Sequence, residues 1–531
     1  MAENQYGERV IRIEFPFDED VLEKVRSIPG RKWHKEEKCW SAPIHLDSLN
    51  SLKQWGFLLD EKLITFIRKV TLHSSKLLAP GSISGLQGEL YPFQAEAVAF
   101  LESKSGRALI ADDMGLGKTI EAIAYLQLHP ELRPAIIVSP AFLKLNWQRE
   151  CIKWMNRPNV EIISGTRPYR TRGSILIINY DILSAWYQAL RERLPEIIIF
   201  DEAHFIKTSS AKRTKASKML VKGINHIIGL SGTPIENRAI ELYNIINMLE
   251  RSLFPNKWHY IERYCALKHN GFGWNYNGSS NSQELHQILT STIMLRRRKN
   301  EVLKELPDKT NAFIPVELEK PSEYKLAERD FITWIAKEKG LEAAQRASNA
   351  ETFSTIEGLK QLAVKGKLSH AKEWIRDFLE SGNKLVVFAT HHFVIDELMK
   401  EFGELAVKVD GRVSMSDRQN AVDKFQNDEN VRLFVGNIEA AGVGITLTAA
   451  SDVAFLELPW TPAKLTQAAD RVHRIGQKNS VTIYYLLAND TIEERIAHLL
   501  DNKSKTVSRI LDGEEISEES LLTELMKEYN V

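Results

Sequence analysis

Two glycines and a lysine in the segment from Ala108 to Thr119 could form a phosphate-binding loop. A short apolar run leads into Asp-Asp-Met-Gly-Leu-Gly-Lys-Thr and then into a helical pattern. Such a strand, loop and helix turn backbone N–H groups towards an anion, and the helix N-terminus adds partial positive charge. Lys118 would reach the β- and γ-phosphates of a nucleoside triphosphate, and Thr119 would bind Mg²⁺. Asp112 stands where the usual pattern has its first glycine, so an ordinary helix-start turn is an open alternative.

Two adjacent acids could supply the other half of such a site. An apolar run at 197–200 leads directly into Asp201, Glu202, Ala203 and His204. Phosphoryl transfer needs a carboxylate that holds Mg²⁺ and a second group that orients the attacking water. We expect Asp201 to hold the metal and Glu202 to orient the water. An exposed acidic turn and a metal-binding Asp/His cluster are the alternatives.

The elements that must position these residues alternate along the chain. Short Ile/Val/Leu runs separated by amphipathic helices predict parallel sheets covered by helices on both faces. One set of predicted strands is 108–111, 135–139, 175–179, 197–200 and 226–230. A second set is 385–389, 406–409, 433–435, 453–458 and 481–487, with helices at 417–425 and 461–472. The sequence therefore predicts an α/β fold with two similar parallel-sheet halves joined by helical material.

A small α+β module is predicted ahead of these halves. It has a strand at 10–15, a helix at 18–27, a hairpin between Trp33 and Trp40, and a second helix at 46–55. The predicted domains are residues 1–77, residues 78–310 with a helical insert at about 235–305, and residues 311–531 with a leading helical segment and a C-terminal helix. The stretch 513–520 is predicted to be a solvated acidic end.

Composition narrows the class of protein without choosing a function. The chain has 531 residues, with 70 Lys and Arg against 70 Asp and Glu, so a nucleic-acid surface would require local clustering of charge. Three widely spaced cysteines predict neither a disulfide framework nor a structural zinc site. The polar N-terminus and the absence of a long apolar run predict no signal peptide and no membrane span. We therefore expect that the protein is not secreted. In a eukaryote it would be nuclear, and in a prokaryote or virus it would be cytoplasmic or in the nucleoid.

From Glu89 onward the sequence resembles the Swi/Snf-like ATPases of helicase superfamily two. The matching segments, in the family's order, are 90–94, 108–119, 137–140, 146–147, 178–180, 201–204, 230–237, 410–425, 441–450 and 467–477. The resemblance implies two RecA-like lobes with ATP between them and duplex DNA crossing both. It also implies that Arg471 and Arg474 reach across the interlobe cleft towards the γ-phosphate. A solvated helix face is the alternative for these two arginines.

The residues and the resemblance together predict a site for ATP and Mg²⁺. The expected catalytic residues are Lys118, Asp201, Glu202, Arg471 and Arg474, and the expected metal ligands are Thr119 and Asp201. The expected nucleotide contacts, with Gln94 reading adenine, are Gln94, Asp112, Met114, Gly115, Leu116, Gly117, Lys118, Thr119, Gly442 and Gly444.

A narrower resemblance, to the annealing-helicase subfamily, rests on three segments. Residues 263–265, 274–281 and 294–299 are similar to that subfamily, and residues 29–40 are similar to its HARP module. The sequence departs from common family usage at Tyr91, Asp113 and Thr446. Thr446 leaves open which nucleotide or DNA contact is made at its position.

Basic and aromatic residues provide candidate nucleic-acid contacts. Trp33 and Trp40 stand among Arg31, Lys32, Lys35 and Lys38, a mixture that suits stacking on unpaired bases. The predicted contact residues are Ser139, Asn179, Trp33, Trp40, Arg296 and Arg297. The alternatives are that the tryptophans form the core of the module and that Arg296 and Arg297 lie on a solvated helix face or in an ion pair with the helical insert.

The function expected from the sequence is ATP-dependent translocation on DNA. The expected partner is double-stranded or branched DNA, bound by a monomer, and remodelled by annealing or fork regression. An RNA helicase and a regulator that binds nucleic acid or RNA polymerase are the alternatives. Protein partners are left open.

Overall fold

A computed structural model describes residues 2–3, 9–28, 30–44, 46–65, 67, 83–232, 234, 238–269, 273–276, 278–303, 305–337, 349–441, 444–497 and 500. The chain divides into two compact units, with the boundary between Val302 and Leu303. The stretch 513–520, predicted to be a solvated acidic end, lies outside the described residues.

The N-terminal module contains a four-stranded antiparallel sheet and helices, of which two are fully described. Its strands, in the order β1-β2-β4-β3, are β1 (Ala2–Glu3), β2 (Arg9–Ile13), β3 (Lys32–His34) and β4 (Cys39–Pro43). The two fully described helices are α1 (Glu19–Ser27) and α2 (Leu46–Gln54). Asp18 begins α1 by accepting the backbone N–H of Val21 at 3.0 Å, as an N-cap does. Ile11, Val25 and Leu49 are among the buried residues of a separate hydrophobic core, as the predicted α+β pattern requires.

The first unit also contains a seven-stranded parallel sheet. Its strands are β5 (Arg107–Ile110), β6 (Ala135–Ser139), β7 (Val160–Ile162), β8 (Ile175–Asn179), β9 (Ile197–Asp201), β10 (His226–Leu230) and β13 (Met294–Leu295). Their order across the sheet is β13-β5-β10-β9-β6-β8-β7. Every residue of β6 and β8 is buried, which explains their continuous apolar runs, because helices cover both faces of the sheet.

Helices connect these strands and then form an insert. They are α3 (Pro92–Ser103), α4 (Lys118–Leu128), α5 (Lys144–Trp154), α6 (Leu183–Glu192), α7 (Lys212–Leu220), α8 (Ile240–Leu249), α9 (Lys257–Tyr264), α10 (Ser282–Thr292) and α11 (Lys299–Val302). Short 3₁₀ helices lie at Ala141–Leu143 and Ala203–Ile206. Within the insert, β11 (Lys268–His269) and β12 (Trp274–Asn275) form a small antiparallel hairpin.

The second unit is built on a six-stranded parallel sheet. Its strands are β14 (Lys309–Val316), β15 (Leu385–Ala389), β16 (Ala406–Val409), β17 (Leu433–Asn437), β18 (Asp452–Phe455) and β19 (Val481–Ala488), in the order β14-β19-β18-β15-β17-β16. Its helices are α12 (Pro321–Lys337), α13 (Asn349–Glu380), α14 (His392–Phe402), α15 (Met415–Asn427), α16 (Ile438–Ala441) and α17 (Pro462–Ala469), with a 3₁₀ turn at Gly403–Leu405. Successive residues of β15 enter two different hydrophobic cores, one on each face of the sheet.

The structure confirms the predicted α/β class, with two parallel-sheet lobes and an N-terminal α+β module. Three strands of the two parallel sheets were not predicted, namely β7, β13 and β14. One predicted helix is shorter than expected: α17 ends at Ala469, and the residues after it form turns. In the part of the chain that the structure describes, no helix is long and apolar enough to cross a membrane.

Candidate active site

The candidate catalytic residues of the first unit lie where its parallel strands end. Strand β10 is hydrogen-bonded to β5 on one side and to β9 on the other. The glycine loop follows β5, Asp201 ends β9, and Ser231 follows β10. Carboxyl ends of parallel strands share one edge of a sheet, which is where α/β proteins usually bind ligands. The structure therefore brings together the two halves of the site that the sequence predicted.

The loop between β5 and α4 has the backbone of a phosphate-binding loop. Gly115 and Gly117 have φ angles of 85° and 94°, a left-handed conformation that favours glycine. A side chain at Gly117 would also collide with the carboxamide of Gln94. Lys118 begins α4, and its ammonium group donates to the backbone oxygens of Asp112 at 2.7 Å and Asp113 at 3.1 Å. The ammonium group of Lys118 therefore lies against the loop that was predicted to bind phosphate.

Gln94 lies close behind this loop. The residue is buried, and its carboxamide accepts from the backbone N–H of Tyr91 at 3.1 Å and donates to the carbonyl of Leu116 at 2.9 Å. The side chain predicted to read adenine therefore ties α3 to the glycine loop. The adenine contact stays a prediction.

Asp112 is held by an arginine from a distant part of the sequence. The fully buried carboxylate of Asp112 accepts from the Arg297 backbone N–H at 2.9 Å and from its Nε at 3.0 Å. The same guanidinium lies 3.3 Å from buried Glu121 and also donates to the Phe93 carbonyl. Burial raises the pKa of Asp112, and the Arg297 cation opposes that shift. This cluster anchors the first residue of the loop, where the usual pattern has glycine.

The carboxylate of Asp201 is fixed by two donors. Its Oδ1 accepts from the Glu202 backbone N–H at 2.9 Å, and its Oδ2 accepts from the indole N–H of Trp147 at 2.7 Å. The hydroxyl of Tyr180 donates to the backbone oxygen of Asp201 at 2.8 Å. Burial and the neighbouring Glu202 raise the pKa of Asp201 to about 7, while the bond from Trp147 opposes the rise. A nearby divalent cation would favour the ionised form.

Glu202 adopts a backbone conformation that side chains rarely take. Its φ of 49° and ψ of 56° lie in the left-handed region, which costs a residue with a side chain on the order of 1–3 kcal/mol. Its carboxylate lies 3.3 Å from Nδ1 of His204, and the same nitrogen is 3.3 Å from the Ser231 hydroxyl. Nδ1 of His204 therefore lies close to both Glu202 and the residue that follows β10. Glu202 is buried, so the alternative of an exposed acidic turn is excluded.

The residues present fit a triphosphate and a divalent cation. The ammonium of Lys118 and the N-terminus of α4 provide positive charge, while Thr119 and Asp201 provide oxygen ligands of the kind that Mg²⁺ prefers. A Cβ at Gly232 would lie 3.2 Å from Lys118 Nζ and would collide with Met114, so a side chain there would crowd the lysine. Among the described residues, no group of three or more His, Cys, Asp or Glu could hold a metal by itself. A cation shared between Asp201 and phosphate oxygens suits this arrangement better than the alternative Asp/His metal cluster.

Comparison with known proteins agrees with this geometry. The family model described as "SNF2-related domain" matches residues 93–367, and "Helicase conserved C-terminal domain" matches residues 367–476. The chain belongs to the SNF2-related family. Its members are ATPases of helicase superfamily two, as the motif order predicted.

Relatives with similar sequences point to one branch of this family. The chain is 37% identical over 433 residues to "SWI/SNF-related matrix-associated actin-dependent regulator of chromatin subfamily A-like protein 1" of Xenopus laevis, covering 80% of this chain and 44% of that protein. A Caenorhabditis elegans homolog of the same name is 31% identical, covering 95% of this chain and 75% of that protein. "DNA annealing helicase and endonuclease ZRANB3" of Homo sapiens is 35% identical, covering 81% of this chain and 41% of that protein. The chain thus spans less than half the length of two of these relatives.

In the second unit of this SNF2-related chain, the two predicted arginines lie beyond the end of α17. Arg471 is buried and its Nε donates to the Gln467 carbonyl at 3.1 Å. Arg474 donates to the Ile445 carbonyl at 3.2 Å and to the Thr446 hydroxyl at 2.8 Å. The alternative of a solvated helix face is therefore wrong.

The loop that contains Thr446 is only partly described. Gly444 has a φ of 76°, whereas Gly442, another predicted nucleotide contact, lies outside the described residues. Thr446, the departure from common family usage, serves as the acceptor for Arg474. The structure thus gives this threonine a contact within the protein.

Most of the predicted nucleic-acid contacts are not exposed. Ser139 and Asn179 are buried, and Asn179 accepts from the buried Lys144 ammonium at 3.1 Å. Arg296 donates to the Ala111 carbonyl at 3.0 Å, and Arg297 belongs to the buried Asp112 cluster. Both guanidinium groups are thus engaged next to the glycine loop, and DNA contacts by Arg296 and Arg297 stay a prediction. Arg297 forms an ion pair, but with Asp112 after β5 and not with the helical insert.

The tryptophans of the N-terminal module have different environments. The rings of Trp33 and Trp40 lie 5.4 Å apart, and Trp40 packs against the core of the module. Trp33 is 46% exposed. Of the six predicted contact residues, Trp33 presents the most accessible side chain.

Sequence reasoning missed several residues that shape the site. Trp147 and Tyr180 appeared only inside family motifs, although both bond to Asp201. Arg297 was read as part of an exposed basic run, although it pairs with Asp112. The one sequence signal of burial was the short apolar pair Met294-Leu295, which ends two residues before Arg297.

Proposed function

We propose that the chain is an ATP-dependent DNA translocase that remodels duplex or branched DNA by annealing or fork regression. The main support for ATP hydrolysis is that Lys118, Asp201 and Glu202 lie at the same edge of the first sheet. Family membership supports the same activity. The DNA substrate is supported by the relatives, one of which is named as a DNA annealing helicase.

Different residues of the first unit would bind ATP and orient the attacking water. Lys118 and the loop N–H groups bind the phosphates, and Thr119 with Asp201 would hold Mg²⁺, which neutralises developing charge. Glu202 orients the attacking water, and its carboxylate lies 3.3 Å from Nδ1 of His204. Arg471 and Arg474 are proposed to stabilise charge on the γ-phosphate.

The proposed action on DNA is rewinding rather than strand separation. A motor that tolerates any sequence must contact mainly backbone and sugar. Re-forming base pairs supplies about 1.4 kcal/mol per step, so ATP would mainly supply direction. The exposed Trp33 ring, among lysines and arginine, suits a base that is unpaired at a fork.

The ATPase rate in the presence of different nucleic acids tests this proposal. Duplex and forked DNA are expected to stimulate hydrolysis more than single-stranded DNA or RNA, because the proposed track is duplex DNA. In the same conditions the protein should displace the third strand of a triplex while leaving a plain partial duplex paired.

Other outcomes favour other functions. Strongest stimulation by RNA would favour an RNA helicase, and binding of nucleic acid without hydrolysis would favour a regulator. Efficient unwinding of the partial duplex without displacement of the third strand would indicate a conventional helicase.

Replacing Trp33 by alanine tests the proposed role of the N-terminal module. Stacking on a base contributes about 1–3 kcal/mol, so the Kd for forked DNA should rise by about 5- to 150-fold. Binding to plain duplex should change little, because its bases are already stacked. Fluorescence anisotropy with labelled fork and duplex measures both constants.

Phe17→Ala is the matched control, because Phe17 is an exposed aromatic residue of the same module. This variant should bind both DNAs as the wild type does. Equal weakening of fork and duplex binding by Trp33→Ala would contradict a role in recognising unpaired bases.

A further inference from the structure

The fully buried Trp147 makes a polar contact that hydrophobic packing does not require. Its indole N–H donates to Oδ2 of Asp201 at 2.7 Å, across 54 positions of sequence. The other carboxylate oxygen, Oδ1, accepts from the backbone N–H of Glu202. Both oxygens are therefore oriented by donors from the protein, one from the residue that follows β9 and one from α5.

We infer that Trp147 is a positioning residue for the metal site, which orients the Asp201 carboxylate so that its remaining lone pairs face a divalent cation. This inference rests on the proposed role of Asp201 as a metal ligand. The terminal torsion of an aspartate is broad, so without a second donor its carboxylate can rotate. Mg²⁺ requires near-octahedral geometry, and partners that orient its ligands strongly influence its binding.

The donor is held in place by the helix that carries it. Lys144 lies one helical turn before Trp147, so the two side chains share a face of α5. The buried ammonium of Lys144 donates to the Ile163 carbonyl at 3.0 Å and to Asn179 at 3.1 Å. These bonds fix α5 against the ends of neighbouring strands. Trp147 thus presents its N–H from a rigid element.

Another buried tryptophan shows what a purely structural contact looks like. Trp186, on α6, is also fully buried, and its indole N–H donates to the backbone carbonyl of Gly165 at 2.8 Å. That bond satisfies the indole without contacting a proposed catalytic group. Trp186 is therefore the matched control for size, burial and hydrogen bonding.

Mg²⁺ titration of nucleotide binding by the full chain tests the inference. Binding of a fluorescent ATP analogue is followed at increasing Mg²⁺ concentration for the wild type, Trp147→Phe and Trp186→Phe. Trp147→Phe should raise the half-saturating Mg²⁺ concentration by about 10- to 100-fold, the usual effect of removing a partner of a metal ligand. Binding of the analogue without Mg²⁺ should stay unchanged, and Trp186→Phe should keep the wild-type Mg²⁺ dependence.

A second variant separates the hydrogen bond from the shape of the ring. Benzothienylalanine introduced at position 147 preserves the bicyclic ring but lacks the N–H. It should therefore raise the half-saturating Mg²⁺ concentration as Trp147→Phe does. This result is expected even if the smaller phenylalanine impairs folding. Wild-type Mg²⁺ dependence in the folded benzothienylalanine variant would overturn the inference.

Asp201→Asn distinguishes failure of the inference from failure of the proposed site. If Asp201→Asn shifts the Mg²⁺ dependence and neither change at position 147 does, Trp147 acts only in packing. If Asp201→Asn leaves the Mg²⁺ dependence unchanged, the proposed metal role of Asp201 is wrong and the inference falls with it.

Discussion

Replacing Glu202 by glutamine is expected to lower ATP turnover by about 10²–10⁴-fold, the usual contribution of a group that manages the attacking water and its proton. Glutamine has nearly the same shape but cannot accept a proton as a carboxylate does. Binding of Mg-ATP should persist, because Lys118, Thr119 and Asp201 are unchanged. Single-turnover hydrolysis and binding of a fluorescent ATP analogue measure the two properties separately.

Glu102→Gln is a suitable control for the loss of a buried carboxylate. Glu102 lies on α3 and bonds to His129 at 2.6 Å, away from the glycine loop and the end of β9. This variant should retain turnover even if its melting temperature falls. Hydrolysis near the wild-type rate in Glu202→Gln would show that another group orients the water.

The elements that hold this site could be predicted where both faces of a strand are buried. Strands β6 and β8 are buried throughout and appear in the sequence as unbroken Ile/Val/Leu runs with sharp ends. Strand β14 could not be found in this way, because most of its residues are exposed or half-buried at the edge of its sheet. Its Lys-Thr-Asn start resembles a loop. Burial on both faces, rather than strand formation itself, is the property that apolar runs report.

The site was predictable to the extent that its chemistry is local in sequence. The glycine loop and the Asp201-Glu202 pair are each continuous segments at strand ends, so their types and order sufficed. The partners that hold them are not local. Arg297 lies 185 positions from Asp112, and no sequence pattern distinguishes a guanidinium in a buried ion pair from one on a basic surface. The bond between Trp147 and Asp201 could not be predicted for the same reason, because the two residues are 54 positions apart.

The burial of Arg297 changes what its basic run can mean for function. Loss of the Arg297 cation would leave Asp112 and Glu121 buried without their ion-pair partner. Removing one partner of a buried ion pair usually lowers the free energy of unfolding by about 3–5 kcal/mol. The cation is therefore needed to keep the first residue of the glycine loop in place. Its segment, β13 and the residues after it, leads directly to the boundary of the first unit at Val302. The glycine loop and the end of this unit are thus joined through this guanidinium and through backbone bonds, such as that from the Asp113 N–H to the Arg297 carbonyl.

Arg474→Ala is expected to lower turnover on the order of 10³-fold if the residue stabilises charge on the γ-phosphate, as an arginine finger does. ATP affinity should change much less, because the added charge develops mainly in the transition state. The ground-state contacts of Arg474, to Thr446 and the Ile445 carbonyl, lie within the second unit and hold the guanidinium in one orientation. Single-turnover rate and nucleotide Kd, measured on the same preparation, separate the two effects.

Arg376→Ala removes an exposed ion pair with Glu401 in that unit and should leave both values unchanged. If Arg474→Ala weakens ATP binding but hydrolyses bound ATP at the wild-type rate, the arginine acts as a ground-state clamp, and stabilisation of the transition state must come from Arg471 or from another group.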